Sequence, residues 1–136
     1  MKHMYNDVLR SRDNLQTALR LTMAGLAEFP LGTAVAVRGL SGAVVGALLQ
    51  AAGRRVFYVR KGADPSHTHC AVVEPEKGSG EFKYVIVDDF SVSGATVKAI
   101  VRAMCCETRG QHVGCVFYAP QSQSHPAPLV WHVKKA

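Results

Sequence analysis

Two adjacent carboxylates, Asp88 and Asp89, close a run of β-formers, Tyr84-Val85-Ile86-Val87. A hydroxyl- and glycine-bearing stretch follows, Ser91-Val92-Ser93-Gly94-Ala95-Thr96, and a helical period begins beyond it. The order reads as a buried strand, a turn and a helix N-terminus. Such a terminus presents unpaired backbone N–H groups and the positive end of the macrodipole, so it attracts an anion of phosphate size. Ser91, Ser93 and Thr96 add hydroxyl donors, and Gly94 lets the backbone close around the anion with no Cβ in the way. The carboxylates would repel that same anion. They suit sugar hydroxyls instead, met directly or through a magnesium ion held by the substrate's own oxygens. Carboxylates near the ring could also stabilise a cation-like sugar. Taken singly, Asp-Asp at a strand end and Ser-Val-Ser-Gly as a helix cap are ordinary features. Their order and spacing give the combination its meaning.

The elements that would hold these residues follow from periodicity. Residues 7–28 predict an amphipathic helix with Val8, Leu15, Leu19, Thr22 and Leu26 on one stripe, ended by Pro30 and Gly32. Residues 33–38 read as a buried strand, and Gly39-Leu40-Ser41-Gly42 as a tight loop. Ala43 to Ala52 form a small-residue helix closed by Gly53, with Gly42 and Gly46 letting it lie close to a sheet. Residues 55–60 give the next strand. Residues 61–80 form a polar excursion with a short apolar run, Cys70–Val73, that reads as a hairpin strand. A strand at 83–88 precedes a helix from Ser93 or Gly94 to Cys106, with Val97, Ile100, Val101 and Met104 on one face. A strand at 113–118, a Pro/Ser/Gln segment and a last strand at Leu129–Val133 complete the chain.

This alternation implies an α/β fold, a three-layer arrangement with a mainly parallel central sheet flanked by helices. There is no internal repeat or linker, so residues 1–136 read as a single domain. Ligands in such sheets sit at the carboxyl ends of the strands. The topology therefore gathers three segments, 38–42, 60–69 and 88–96.

The stretch 84–97 resembles the phosphoribosyl pyrophosphate (PRPP) motif of type I phosphoribosyltransferases: a hydrophobic strand, two acidic residues, a few variable positions, then Thr/Ser-Gly-x-Thr, here Ser93-Gly94-Ala95-Thr96. The resemblance covers about residues 30–118 and implies a role for each segment. Asp88 and Asp89 would be the catalytic acids, holding the ribose. Ser91, Val92, Ser93, Gly94, Ala95 and Thr96 would form the 5′-phosphate loop. Arg38, Gly39, Leu40 and Ser41 would form the pyrophosphate loop, and Arg60 and Lys61 would contact the same leaving group ahead of a closing loop. Magnesium would arrive with the substrate, near Asp88 and Asp89, with no dedicated protein metal site. The implied reaction transfers a 5-phosphoribosyl group from PRPP to a nucleobase-like nitrogenous acceptor, and the resemblance further implies a homodimer.

The chain departs from that family in three ways. Val92 stands where the hypoxanthine/guanine enzymes carry an aspartate, so proton handling on a 6-oxopurine by that route is not expected. The closing loop is short. The hood, the accessory element that recognises the base, is reduced and has to come from residues 1–30 or 119–136. Phe90, Tyr118 and Trp131 are the aromatic candidates for stacking on a ring; Phe90 reads at least as well as a core residue under the loop, and Trp131 in a terminal strand reads better as core. A second reading follows from the trimmed hood: a binding module that keeps the PRPP or nucleotide pocket without transfer, with a basic surface for RNA or DNA.

Composition bounds these readings. At 136 residues, 48% hydrophobic and 19% charged, the chain can bury one sizeable core. A net charge of +6 suits a polyanionic substrate, and nucleic acid ranks second because no arginine-rich tract or DNA-binding motif is present. No stretch approaches the roughly 20 apolar residues of a membrane span, so no membrane partner is expected. Cys70, Cys105, Cys106 and Cys115 show no CxxC spacing and read as small buried hydrophobes in a reducing cytoplasm. His67-Thr68-His69-Cys70 lacks the further ligands of a tetrahedral site, and His112, His125 and His132 suggest no partner. Gly-x-x-x-x-Gly-Lys-Ser/Thr and Gly-x-Gly-x-x-Gly are both absent, which argues against ordinary nucleotide hydrolases and dinucleotide enzymes.

Overall fold

The computed structural model describes residues 12–60, 73–74, 80–89, 94–120 and 129–136. In chain order the elements are α1 (Arg12–Leu26), β1 (Ala34–Arg38), α2 (Gly39–Ala51), β2 (Val56–Val59), β3 (Val73–Glu74), β4 (Glu81–Asp89), α3 (Ala95–Glu107), β5 (Arg109–Pro120) and β6 (Leu129–Lys135). The strands form one sheet in the order β3-β2-β1-β4-β5-β6. The four central strands run parallel, and β3 and β6 are antiparallel at the edges.

Strand alternation sorts the side chains into two cores. Val35, Val37, Val85, Val87 and Val116 face α1 and α2, where Ala18, Leu26, Val45 and Leu49 meet them. Ala34, Ala36, Tyr84, Ile86 and Cys115 face α3 and its Ile100 and Met104. Both faces are covered, so β1 and β4 read as continuous apolar runs. Burying a side chain such as Ile100 or Met104, each fully enclosed, contributes about 1.5–3 kcal/mol.

The expected helical stripes are present among the described residues, and Val8 lies outside them. Thr22 and Leu26 are buried and Leu15 and Leu19 pack against the same core, while Val97 and Val101 flank Ile100 and Met104. Gly42 and Gly46 do bring α2 onto the sheet. A Cβ on Gly42 would lie 3.2 Å from Val37 Cβ, and one on Gly46 would lie 2.9 Å from Tyr58 Cε1. α1 lies over β5 and β6, in the same layer as α2.

Several boundaries differ from expectation. α1 ends at Leu26, and turn hydrogen bonds from Glu28 and Phe29 back to Gly25 and Leu26 carry the chain to Pro30. The hairpin strand falls at Val73–Glu74, where Val59 pairs with Val73; residues 70–72 lie outside the described set. β5 begins at Arg109, four residues earlier than predicted. A bulge explains the miss. Tyr84 pairs with His112 but Val85 pairs with Gly114, so Val113 is extra. Val113 and Gly114 then both face the α1 side, and the period of two is broken. Cys105 and Cys106 are exposed, a correction to their reading as buried hydrophobes; they fall off the Ile100–Met104 stripe, and Cys115 alone of the described cysteines is buried.

Candidate functional site

The strand order reverses between β1 and β4. From β1 the chain moves outward through α2 to β2, then crosses back to β4 on the other side of β1 and moves outward again through α3 to β5. A crevice at the carboxyl ends of the strands is expected at such a switch point. Arg38 is the last residue of β1, and Asp88-Asp89 are the last two residues of β4. Ala36 is paired with Ile86, and Arg38 and Asp88 each lie two residues beyond that pair.

The two helices that leave this edge begin alike. Gly39 opens α2 at φ +82°, and Gly94 precedes α3 at φ +69°. Both conformations suit glycine because an L side chain rarely adopts them. No described side chain caps either helix, and neither has an acid in its first turn. Both helices thus start at the carboxyl edge, one on each face of the sheet, with the positive end of the macrodipole there. The expected tight loop at 39–42 does not exist as a loop. These residues are the first turn of α2, because the positive φ of Gly39 reverses the chain within one residue. Leu40 on that turn is largely exposed, and Arg38 occupies the N-cap position.

Asp88 is 3% exposed and shares the α3 face of β4 with Tyr84 and Ile86. Its charge reaches Cys115 on the neighbouring strand. Burial pushes the Cys115 thiol up to about 11, with Lys134 opposing and Asp88 adding to the rise. Asp89 ends β4, and its side chain lies outside the described set, as do residues Lys61, Phe90, Ser91, Val92 and Ser93 and the histidines His67, His69 and His125. Ala95 and Thr96 form the first turn of α3.

Arg38 and Arg60 stand between two cavities. One, about 280 Å³, lies on the α2 side between Val37, Ala43 and Tyr58. The other, about 760 Å³, lies against the flank of α3 and adds Lys98 and Arg102 to the same two arginines. The Arg38 Nε is buried and makes no hydrogen bond among the described residues. Lys98 and Arg102 escaped the sequence reading, which followed only the apolar stripe of this helix. The available signal was their spacing of four residues, interleaved with Ala95, Ala99 and Ala103.

Among the described residues no group of three or more His, Cys, Asp or Glu could hold a metal ion by itself. None of the described helices is long and apolar enough to cross a membrane. Compared with known proteins, the chain matches no protein-family model and no curated relative.

Proposed function

We propose that the protein is a magnesium-dependent phosphoribosyltransferase that moves the 5-phosphoribosyl group of PRPP to a nitrogenous base, releasing pyrophosphate. One observation carries the reading: β1 and β4, which flank the switch point, end at Arg38 and at Asp88-Asp89, and the helices α2 and α3 at that edge each start at a left-handed glycine. In this reading the amides that open α3, with Ser91, Ser93 and Thr96, take the 5′-phosphate. Arg38, Arg60, Lys61 and the first turn of α2 take the pyrophosphate. The acids hold the ribose hydroxyls and favour positive charge at the anomeric carbon. The bond from that carbon to the pyrophosphate oxygen breaks, a bond to the base nitrogen forms, and the proton that nitrogen carried is released to solvent. Magnesium, when bound with the substrate near Asp88 and Asp89, neutralises charge on the departing pyrophosphate. The protein's contribution is positioning and electrostatics.

A second reading rests on a different observation. Asp88 is almost wholly enclosed, and Val92 cannot handle a ring proton, so the same crevice suits a module that binds PRPP or a nucleotide without transfer.

Calorimetric titration with PRPP and Mg²⁺, on wild type and on Asp88→Asn/Asp89→Asn, tests both. Wild type is expected to bind and the double variant to lose most of that affinity. Absence of wild-type binding rejects both readings. Pyrophosphate release across a panel of bases then separates them, since turnover with any base eliminates the non-catalytic module.

A further inference from the structure

The larger cavity has a charge pattern that the transfer reaction does not require. Arg38 and Arg60 stand at its strand-end mouth, and Lys98 and Arg102 lie further along α3. Lys98 and Arg102 are exposed and take part in no ion pair among the described residues. Four residues of helix separate them by about 6 Å. Between them and the sheet, Ala95, Ala99 and Ala103 keep the helix flank free of long side chains. At the far end the pattern stops at Glu107, whose Oε1 accepts the backbone N–H of Val73 at 3.1 Å. An acid at that end suits a short anion entering from the mouth and opposes a long polyanion running through.

We infer that this groove binds a linear phosphate chain, as in a nucleoside triphosphate, and that the chain shares Arg38 and Arg60 with the pyrophosphate subsite. The exposed charges of Lys98 and Arg102, which form no ion pair among the described residues, supply donors along the groove beyond Arg38 and Arg60. An occupant would compete with any anion held at the mouth. The site would thus couple phosphate-chain concentration to occupancy of the crevice.

Titration with inorganic tripolyphosphate, ATP and a ten-nucleotide single strand tests the inference on the full chain. The variant is Lys98→Ala/Arg102→Ala. Lys83→Ala/Arg109→Ala, which removes the same charge from exposed positions at the other end of the sheet, is the control. Wild type and control are expected to bind tripolyphosphate and ATP alike, and the α3 variant to bind both about tenfold or more weakly. Tighter binding of ATP than of tripolyphosphate adds the nucleoside to the recognised ligand, and equal binding makes the chain alone sufficient; both support the site. Absence of tripolyphosphate binding overturns it, as does an equal loss in the control, or an α3-dependent affinity confined to the oligonucleotide. Asp88→Asn/Asp89→Asn should leave tripolyphosphate binding intact. Failure of the groove and failure of the PRPP reading therefore give different results.

Discussion

The carboxylate of Glu107, at the end of α3, accepts the backbone N–H of Val73 in β3 at 3.1 Å. This bond ties an edge strand of only two residues to the helix that covers the sheet, across 34 positions of sequence. Glu107→Ala removes the acceptor and is expected to cost about 1–2 kcal/mol, while Glu107→Gln keeps an acceptor and should cost less. Urea denaturation of both variants measures the difference. Faster hydrogen exchange at Val73 in the alanine variant alone would locate it.

Two glycines separate crowding from backbone strain. A Cβ on Gly46 would lie 2.9 Å from Tyr58 Cε1 and 3.0 Å from Val37 Cγ2, so Gly46→Ala forces α2 off the sheet and should cost about 1–3 kcal/mol. A Cβ on Gly94 would meet nothing within 4 Å, yet its φ is +69°. Gly94→Ala is therefore expected to cost about 1–2 kcal/mol through conformation alone. Shortening Tyr58 to leucine should relieve part of the Gly46→Ala penalty and none of the Gly94→Ala penalty. Equal relief of both would refute the crowding account.

The α3 face of the core gives a third expectation. Met104 is wholly buried among residues of that face, so Met104→Ala leaves a cavity and should cost about 2–5 kcal/mol. Arg102→Ala, two residues away but exposed, should stay within about 0.5 kcal/mol of wild type. Thermal unfolding of the two variants checks the contrast.

His112 gives the chain a pH dependence. Its Nε2–H donates to the Gly114 carbonyl at 3.0 Å, and its ring lies 5.6 Å from that of Tyr84. Burial lowers its pKa from the usual 6.5, with the Gly114 hydrogen bond pulling the other way. The unfolded chain therefore holds this proton more tightly than the folded one. The contribution to stability is complete above about pH 6.5 and declines as the pH falls from there through the lower folded value. Wild type should lose Tm faster than His112→Gln on acidification from about pH 7 to about pH 5. Parallel Tm curves would remove His112 from the account.

Arg38 provides the activity test with the sharpest chemistry. Arg38→Lys keeps the charge and loses the planar fork, and on the proposed reading it should lower kcat/KM for pyrophosphate release about 10- to 100-fold. Steady-state release assays give the ratio. An unchanged ratio would take Arg38 out of the leaving-group subsite.

Much of the layer architecture was legible from side-chain period. The stripes Thr22–Leu26 and Ile100–Met104, and the apolar runs of β1 and β4, each agree with the observed burial. What failed were features that depend on a single backbone angle or on a neighbour. Gly39 turns the chain at φ +82° and erases a loop that composition suggests. The bulge at Val113 hides a third of β5, since Arg109 to His112 earn their strand from pairing with Glu81 to Tyr84 and not from their own propensities. Within the site, the placement of Arg38 and Asp88-Asp89 at the ends of β1 and β4 was expected from topology. Lys98 and Arg102 were missed because charges on the outer flank of a helix look like ordinary solvated residues until an adjoining cavity is seen.

The sheet's outer boundary has a consequence for how molecules of this protein meet one another. One rim offers a two-residue strand, and the other ends in the exposed ammonium groups of Lys134 and Lys135. Short or cationic rims are poor templates for a further strand. Edge-to-edge zipping of two copies through the described rims is thus discouraged, which keeps a largely parallel sheet from growing beyond its own six strands there.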